Sequence, residues 1–169
     1  LAVAQIRYGY LQEAVQTATK AAFFSAETLV ILKLLSDAGD LAGAMQVAES
    51  QVRPGTGRGG PARRQYEAEL MAYLARRQVQ AGSPEARETM RRAEYAVGTN
   101  KNFQRFQFGG AAALGCAKAA MGDLTASAAS FRQAINAAVS VSQEEYEGER
   151  VSAVTLIGLA AAENGLKNV

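Results

Sequence analysis

Few residues in this chain have the type and spacing to do chemistry, and each points to a specific possibility. The stretch Arg53-Pro54-Gly55-Thr56-Gly57-Arg58-Gly59-Gly60-Pro61 contains a literal G-x-G-x-x-G. A dinucleotide site would need a strand before it and a βαβ unit around it. A helical pattern precedes it here and a proline follows, so that chemistry is excluded. No Lys-Ser/Thr follows the last glycine, which excludes a phosphate-binding P-loop. Backbone amides of the loop, with Arg53, Arg58, Arg63 and Arg64, could still hold an anion at the start of the next helix. The favoured expectation is an inter-repeat loop that is merely basic. Cys116 is the single cysteine and the chain has no histidine. That excludes an internal disulfide, a His-based triad and the usual zinc sites, and it leaves the thiol without a base. Cys116 is therefore expected to pack as a small hydrophobe, and a lone thiol fits a reducing compartment.

Two further clusters have simple structural explanations. Glu144, Glu145, Glu147 and Glu149 open a helical stretch, where carboxylates favour the helix N-terminus. They lack the loop spacing of a calcium site. Phe103, Phe106 and Phe108 alternate with Lys101 and Arg105 like a base-stacking platform. In a chain with 7% aromatics they are expected to pack between helices instead. No cofactor, no metal and no enzymatic activity is expected from these residues.

The elements that carry them are helical. Among 169 residues, alanine occurs 35 times and proline three times, and hydrophobic residues make up 49%. This composition suits helices packed closely on small side chains. No run approaches 18 apolar residues, so no membrane span is expected. Net charge is +2, but its distribution is uneven. Residues 53–92 hold nine Arg and four Glu, whereas the flanking segments are slightly acidic. A solvated helix face is favoured over nucleic-acid binding for this arginine-rich centre.

Five glycines share one context: Gly9, Gly39, Gly82, Gly122 and Gly165. Eight residues before each stands an aliphatic residue: Leu1, Ile31, Leu74, Leu114 and Ile157. The next residue is small in four of the five cases: Ala2, Ala75, Gly115 and Gly158. After Gly39 come Leu41, Ala44, Ala48 and Gln51; after Gly122 come Leu124, Ser127, Phe131 and Ala134. Gly9 is followed at the same offsets by Leu11, Ala14, Ala18 and Ala21, and Gly82 by Ala86, Met90 and Ala93 with one residue deleted. Steps of three and four residues place such side chains on one helical stripe. The glycine between two stripes marks a tight turn that needs unusual backbone angles. Asp40, Ser83 and Asp123 follow it as helix caps, and Ser25 is a further cap. Each unit is then a helix hairpin. The first helix ends near Tyr8, and the others are expected at 10–22, 26–38, 41–52, 62–81, 84–97, 102–121, 124–141 and 143–164. The helix at 26–38 is apolar on most sides, so it is expected to lie buried between neighbours.

The segment 108–141 resembles a tetratricopeptide repeat through Leu114-Gly115, Gly122-Asp123, Phe131, Ala134 and Ile135. It departs from that pattern at Ala111, Lys118, Ser127 and Val139. The resemblance implies an all-α, right-handed α-solenoid of about nine helices over residues 1–169, with the basic loop 53–61 between repeats. Both termini fall inside repeats, so the chain is expected to belong to a longer array or to meet other chains through open ends. The resemblance also implies a concave face, lined by first helices, that binds a peptide or protein partner. On those helices Arg7, Lys33, Asp37, Glu69, Arg76 and Thr155 are the polar residues that the core explains least. They are the expected partner contacts. Head-to-tail assembly into a homo-oligomer or filament is the alternative expectation.

Overall fold

The computed structural model describes residues 1–20, 25–52, 60–98, 107–140, 157–158 and 160–166. Among them the chain is all-helical, without strands. Eight helices are α1 (Ala2–Arg7), α2 (Leu11–Lys20), α3 (Ser25–Asp37), α4 (Leu41–Val52), α5 (Gly60–Gln80), α6 (Ala86–Gly98), α7 (Gln107–Ala120) and α8 (Leu124–Val139). Residues 157–158 and 160–163 are also helical. The chain divides into two compact units, Leu1–Gly59 and Gly60–Val169, and the division falls in the glycine-rich stretch.

All five glycines that punctuate the sequence have positive φ, between 68° and 83°. They close their helices with one repeated pair of hydrogen bonds. At the first, the Gly9 amide donates to Ile6 and the Tyr10 amide to Gln5; at the fourth, Gly122 donates to Ala119 and Asp123 to Lys118. Gly39, Gly82 and Gly165 repeat the arrangement. This double bond across a left-handed residue satisfies the carbonyls that a helix end would otherwise orphan. A side chain with Cβ is strained there, which is why glycine recurs at each turn.

In the first unit α1 and α2 form one hairpin and α3 and α4 another, with α1 packed on α3 and α2 on α4. Its core comprises Ile6, Ala14, Ala18, Ile31, Leu32, Leu35, Ala44, Val47 and Ala48. Of the offsets expected after Gly9 and Gly39, Ala14, Ala18, Ala44, Ala48 and Gln51 are buried, Leu11 and Leu41 are half-buried, and Ala21 lies outside the described residues. Gly43 permits the close approach of α2 and α4, since a Cβ there would lie 2.7 Å from a Val15 methyl. Buried Gln51 ties the same pair by donating its amide to the Ala18 carbonyl at 3.2 Å. Asp40 caps α4, accepting from the Gly43 amide at 2.8 Å. The helix expected to be buried between neighbours is only partly so. Ile31, Leu32 and Leu35 are buried, but Val30 is 50% exposed. Val30, Lys33 and Asp37 lie three and four residues apart, so they share an open stripe away from α1 and α4.

In the second unit α5 pairs with α6 and α7 with α8, while α7 also packs on α5 and α6. α5 is the most enclosed element: Leu70, Met71, Ala72, Leu74 and Ala75 have no accessible surface. It begins at Gly60, so the last two residues expected in the loop are helical. Proline is well placed in a first turn, where its missing N–H costs nothing. Gly115 sits against the Phe131 ring, whose atoms lie 2.8 Å from where a Cβ would stand. The Ser127 hydroxyl donates to the Gly115 carbonyl at 2.7 Å, which welds α8 to α7 at the same point. Asp123 caps α8 by accepting from the Ala126 amide at 2.9 Å. Ser83 does not cap in this way. Its hydroxyl donates to the Glu85 carboxylate, and α6 starts at Ala86 rather than at residue 84. Ser25 is the first residue of α3 rather than a flanking cap.

Candidate partner-binding face

Glu69, Tyr73 and Arg76 stand at i, i+4 and i+7 on α5, so they form one stripe. All three are half-buried. The stripe lies beside α7, where it meets the small residues Gly109 and Cys116. The Glu69 carboxylate occupies the space where a Cβ on Gly109 would be. This is the first turn of α7, where negative charge is favoured by the free amides of a helix start. Seven residues further along, the Arg76 guanidinium acts on Cys116. Both pairs are 40 residues apart, as are Gly82 and Gly122. The two first helices therefore run parallel, in a register equal to the repeat spacing.

Cys116 is half-buried and packs against the cluster of Ala111, Phe131, Ala134, Ala138, Ile157 and Ala161. Burial pushes its thiol above the ordinary range, and Arg76 opposes this without reversing it. The Asn164 amide donates to the sulfur at 3.7 Å and to the Ala160 carbonyl at 2.7 Å. A protonated thiol in this setting is a weak nucleophile. Phe108 packs against the same cluster, as its core assignment anticipates, whereas Phe103 and Phe106 lie outside the described residues.

In the first unit, Arg7 ends α1 and is exposed. Lys33 and Asp37 form an i,i+4 ion pair on α3, so each offsets the other's charge. The expected contacts thus fall in two groups, one per unit. Thr155, Arg53 and Arg58 lie outside the described residues, as does the acidic run 144–149. Arg63 and Arg64 belong to the first turns of α5. Among the described residues no cluster of three metal-ligating side chains occurs. No helix among them is long and apolar enough to cross a membrane.

One connecting residue has no counterpart in the sequence expectations. The Lys118 amine reaches Glu94 on α6 at 3.1 Å and the Ser130 hydroxyl on α8 at 3.3 Å. It thereby links three helices of the second unit. The available signal was a lone cation in an alanine-rich helix, four residues before a turn glycine. A second interhelix pair, Arg92 of α6 with Glu67 of α5 at 3.9 Å, is looser. The chain matches no known family model, and no curated protein and no solved structure is significantly similar to it.

Proposed function

We propose that this chain is a non-enzymatic scaffold, a tetratricopeptide-like right-handed α-solenoid that binds a peptide or protein segment along its first helices. The observation that carries this reading is the α5 stripe of Glu69, Tyr73 and Arg76 laid beside the small residues of α7. Glu69 and Arg76 set an acid and a base seven residues apart along this stripe. Seven helical residues separate those charges by about 10 Å along the axis. Three residues of an extended peptide span about the same distance. A strand-like segment with a basic residue and, three positions along, an acidic one would meet both charges. Glu69 also serves α7, so Arg76 and Tyr73 carry most of the discrimination. The repeated turn geometry supports a repeat origin for the whole assembly.

The test is selection of peptides from a random phage-displayed library on the intact chain, followed by calorimetry. Arg76→Ala and Tyr73→Ala are expected to weaken the selected peptides by tenfold or more, which corresponds to about 1.4 kcal/mol. Gln133→Ala, on the exposed side of α8, is expected to leave them unchanged. Peptides that bind all three variants equally would remove the face from consideration.

A further inference from the structure

We propose that the α1–α2 turn of one copy docks into a cleft beside the α5–α6 turn of a second copy. The five glycine turns share their backbone, yet the side chains around the first are different in kind. The residue after the glycine is Asp40, Ser83 or Asp123 at the next three turns, but Tyr10 at the first. The residue before it is Ala38 or Ala81 at two turns, but Tyr8 here. Tyr8 is 80% exposed and Tyr10 59%. Neither side chain has a partner among the described residues. Tyr10 also displaces the carboxylate that caps α4 and α8 at the corresponding turns. Tyr10 thus breaks the capping pattern of the next three turns, with no compensating contact among the described residues, and such a departure marks a site of function.

The cleft has the complementary character. It is open, about 480 Å³ in volume, and its walls include Val79, Pro84, Met121 and Arg87. A cleft of this size admits aromatic side chains. A phenol ring packs well on proline and on methionine sulfur, and it attracts a guanidinium to its face. The charges match too. Glu13 lies three residues after Tyr10 on α2, exposed and without a partner among the described residues. Arg87 lies in the cleft wall in the same condition. Seating Tyr8 and Tyr10 therefore brings Glu13 towards Arg87. The two surfaces differ, so each copy offers one projection and one cleft, and the contact is heterologous. Such a contact links copies into a ring where the rotation closes and into a growing chain where it does not. Two tyrosines bury about 150–250 Å² each. That is well below the roughly 1,000 Å² of a stable interface, so association is expected to be weak and to show only across a high concentration range. None of these residues belongs to the α5 stripe, so the inference does not depend on the partner-binding reading.

Sedimentation equilibrium of the intact chain across that concentration range is the test. The weight-average mass is expected to rise above the monomer with concentration. Glu13→Arg alone and Arg87→Glu alone should each hold the chain monomeric, because like charges then face each other. The double variant Glu13→Arg/Arg87→Glu should restore growth to within twofold of the original. Both positions are on the surface, and far-UV circular dichroism checks that the helices are retained. A chain that stays monomeric throughout would overturn the proposal. So would association that persists in either single variant, or a charge-swapped double variant that stays monomeric.

Discussion

At the scale of single residues, two helical glycines should respond in opposite directions to the same substitution. A Cβ on Gly115 would press on the buried Phe131 ring at 2.8 Å, and neither helix can give way there because Ser127 bonds the Gly115 carbonyl. Overpacking of this kind costs about 1–3 kcal/mol, against a helix-propensity gain of up to about 1 kcal/mol. Gly115→Ala should therefore lose about 1–2 kcal/mol in urea denaturation. Gly158 is exposed in a helical segment, with nothing within 4 Å of its would-be Cβ. Gly158→Ala should gain about 0.5–1 kcal/mol in the same assay. Cys116 offers a test in pH. Because burial raises its pKa and Arg76 lowers it, the rate of alkylation should rise with pH at a midpoint above that of an exposed cysteine. Arg76→Ala should push the midpoint higher still. A midpoint below that of an exposed cysteine would mean that the thiol sits in a different environment. The packing role of Cys116 was legible from its alanine-rich neighbourhood and the absence of histidine. Its contact with Asn164 was not, because 48 residues separate the two and only the fold brings them together.

At the scale of the element, the turn is the unit that the sequence encodes most directly. Few backbones reverse a helix within three residues, and the one used here requires φ above zero, so glycine spacing marked all five turns. Gly122→Ala should cost about 1–2 kcal/mol, since L-residues pay roughly that in the left-handed region. Asp123→Ala removes the cap on α8 and should cost about 1 kcal/mol. The expected helix ends agree with the structure where a turn glycine or capping aspartate sets them. They disagree at α6, where Ser83 spends its hydroxyl on Glu85, and at α5, where Gly60 and Pro61 join the helix. The open side of α3 was also not legible. Periodicity tells that Leu32 and Leu35 share a face, but it does not count the neighbours that cover Val30.

At the scale of the whole molecule, most of the expected offsets are buried in both units, which is why residues far apart in sequence could be assigned to cores from spacing alone; Leu124, expected on the same stripe, is 50% exposed. The polar links between helices were beyond that reach. Lys118 finds Glu94 and Ser130 only because α7 packs on both α6 and α8, and Glu69 finds Gly109 only because α5 and α7 lie parallel in a register of 40 residues. Stability should be graded accordingly. Within the second unit α5 is packed by both α6 and α7 and holds the largest run of fully buried side chains. Its amides at 70–75 should be the slowest to exchange in that unit, and those of α6, which shows Arg87, Arg91 and Tyr95 to solvent, should exchange sooner. The proposal of a binding face on first helices is tested most directly by nuclear magnetic resonance of the labelled chain, titrated with a library-selected peptide. Shift changes centred on Glu69, Tyr73, Arg76 and residues 109–116 are the expected result. Changes confined to the exposed sides of α6 and α8 would contradict it.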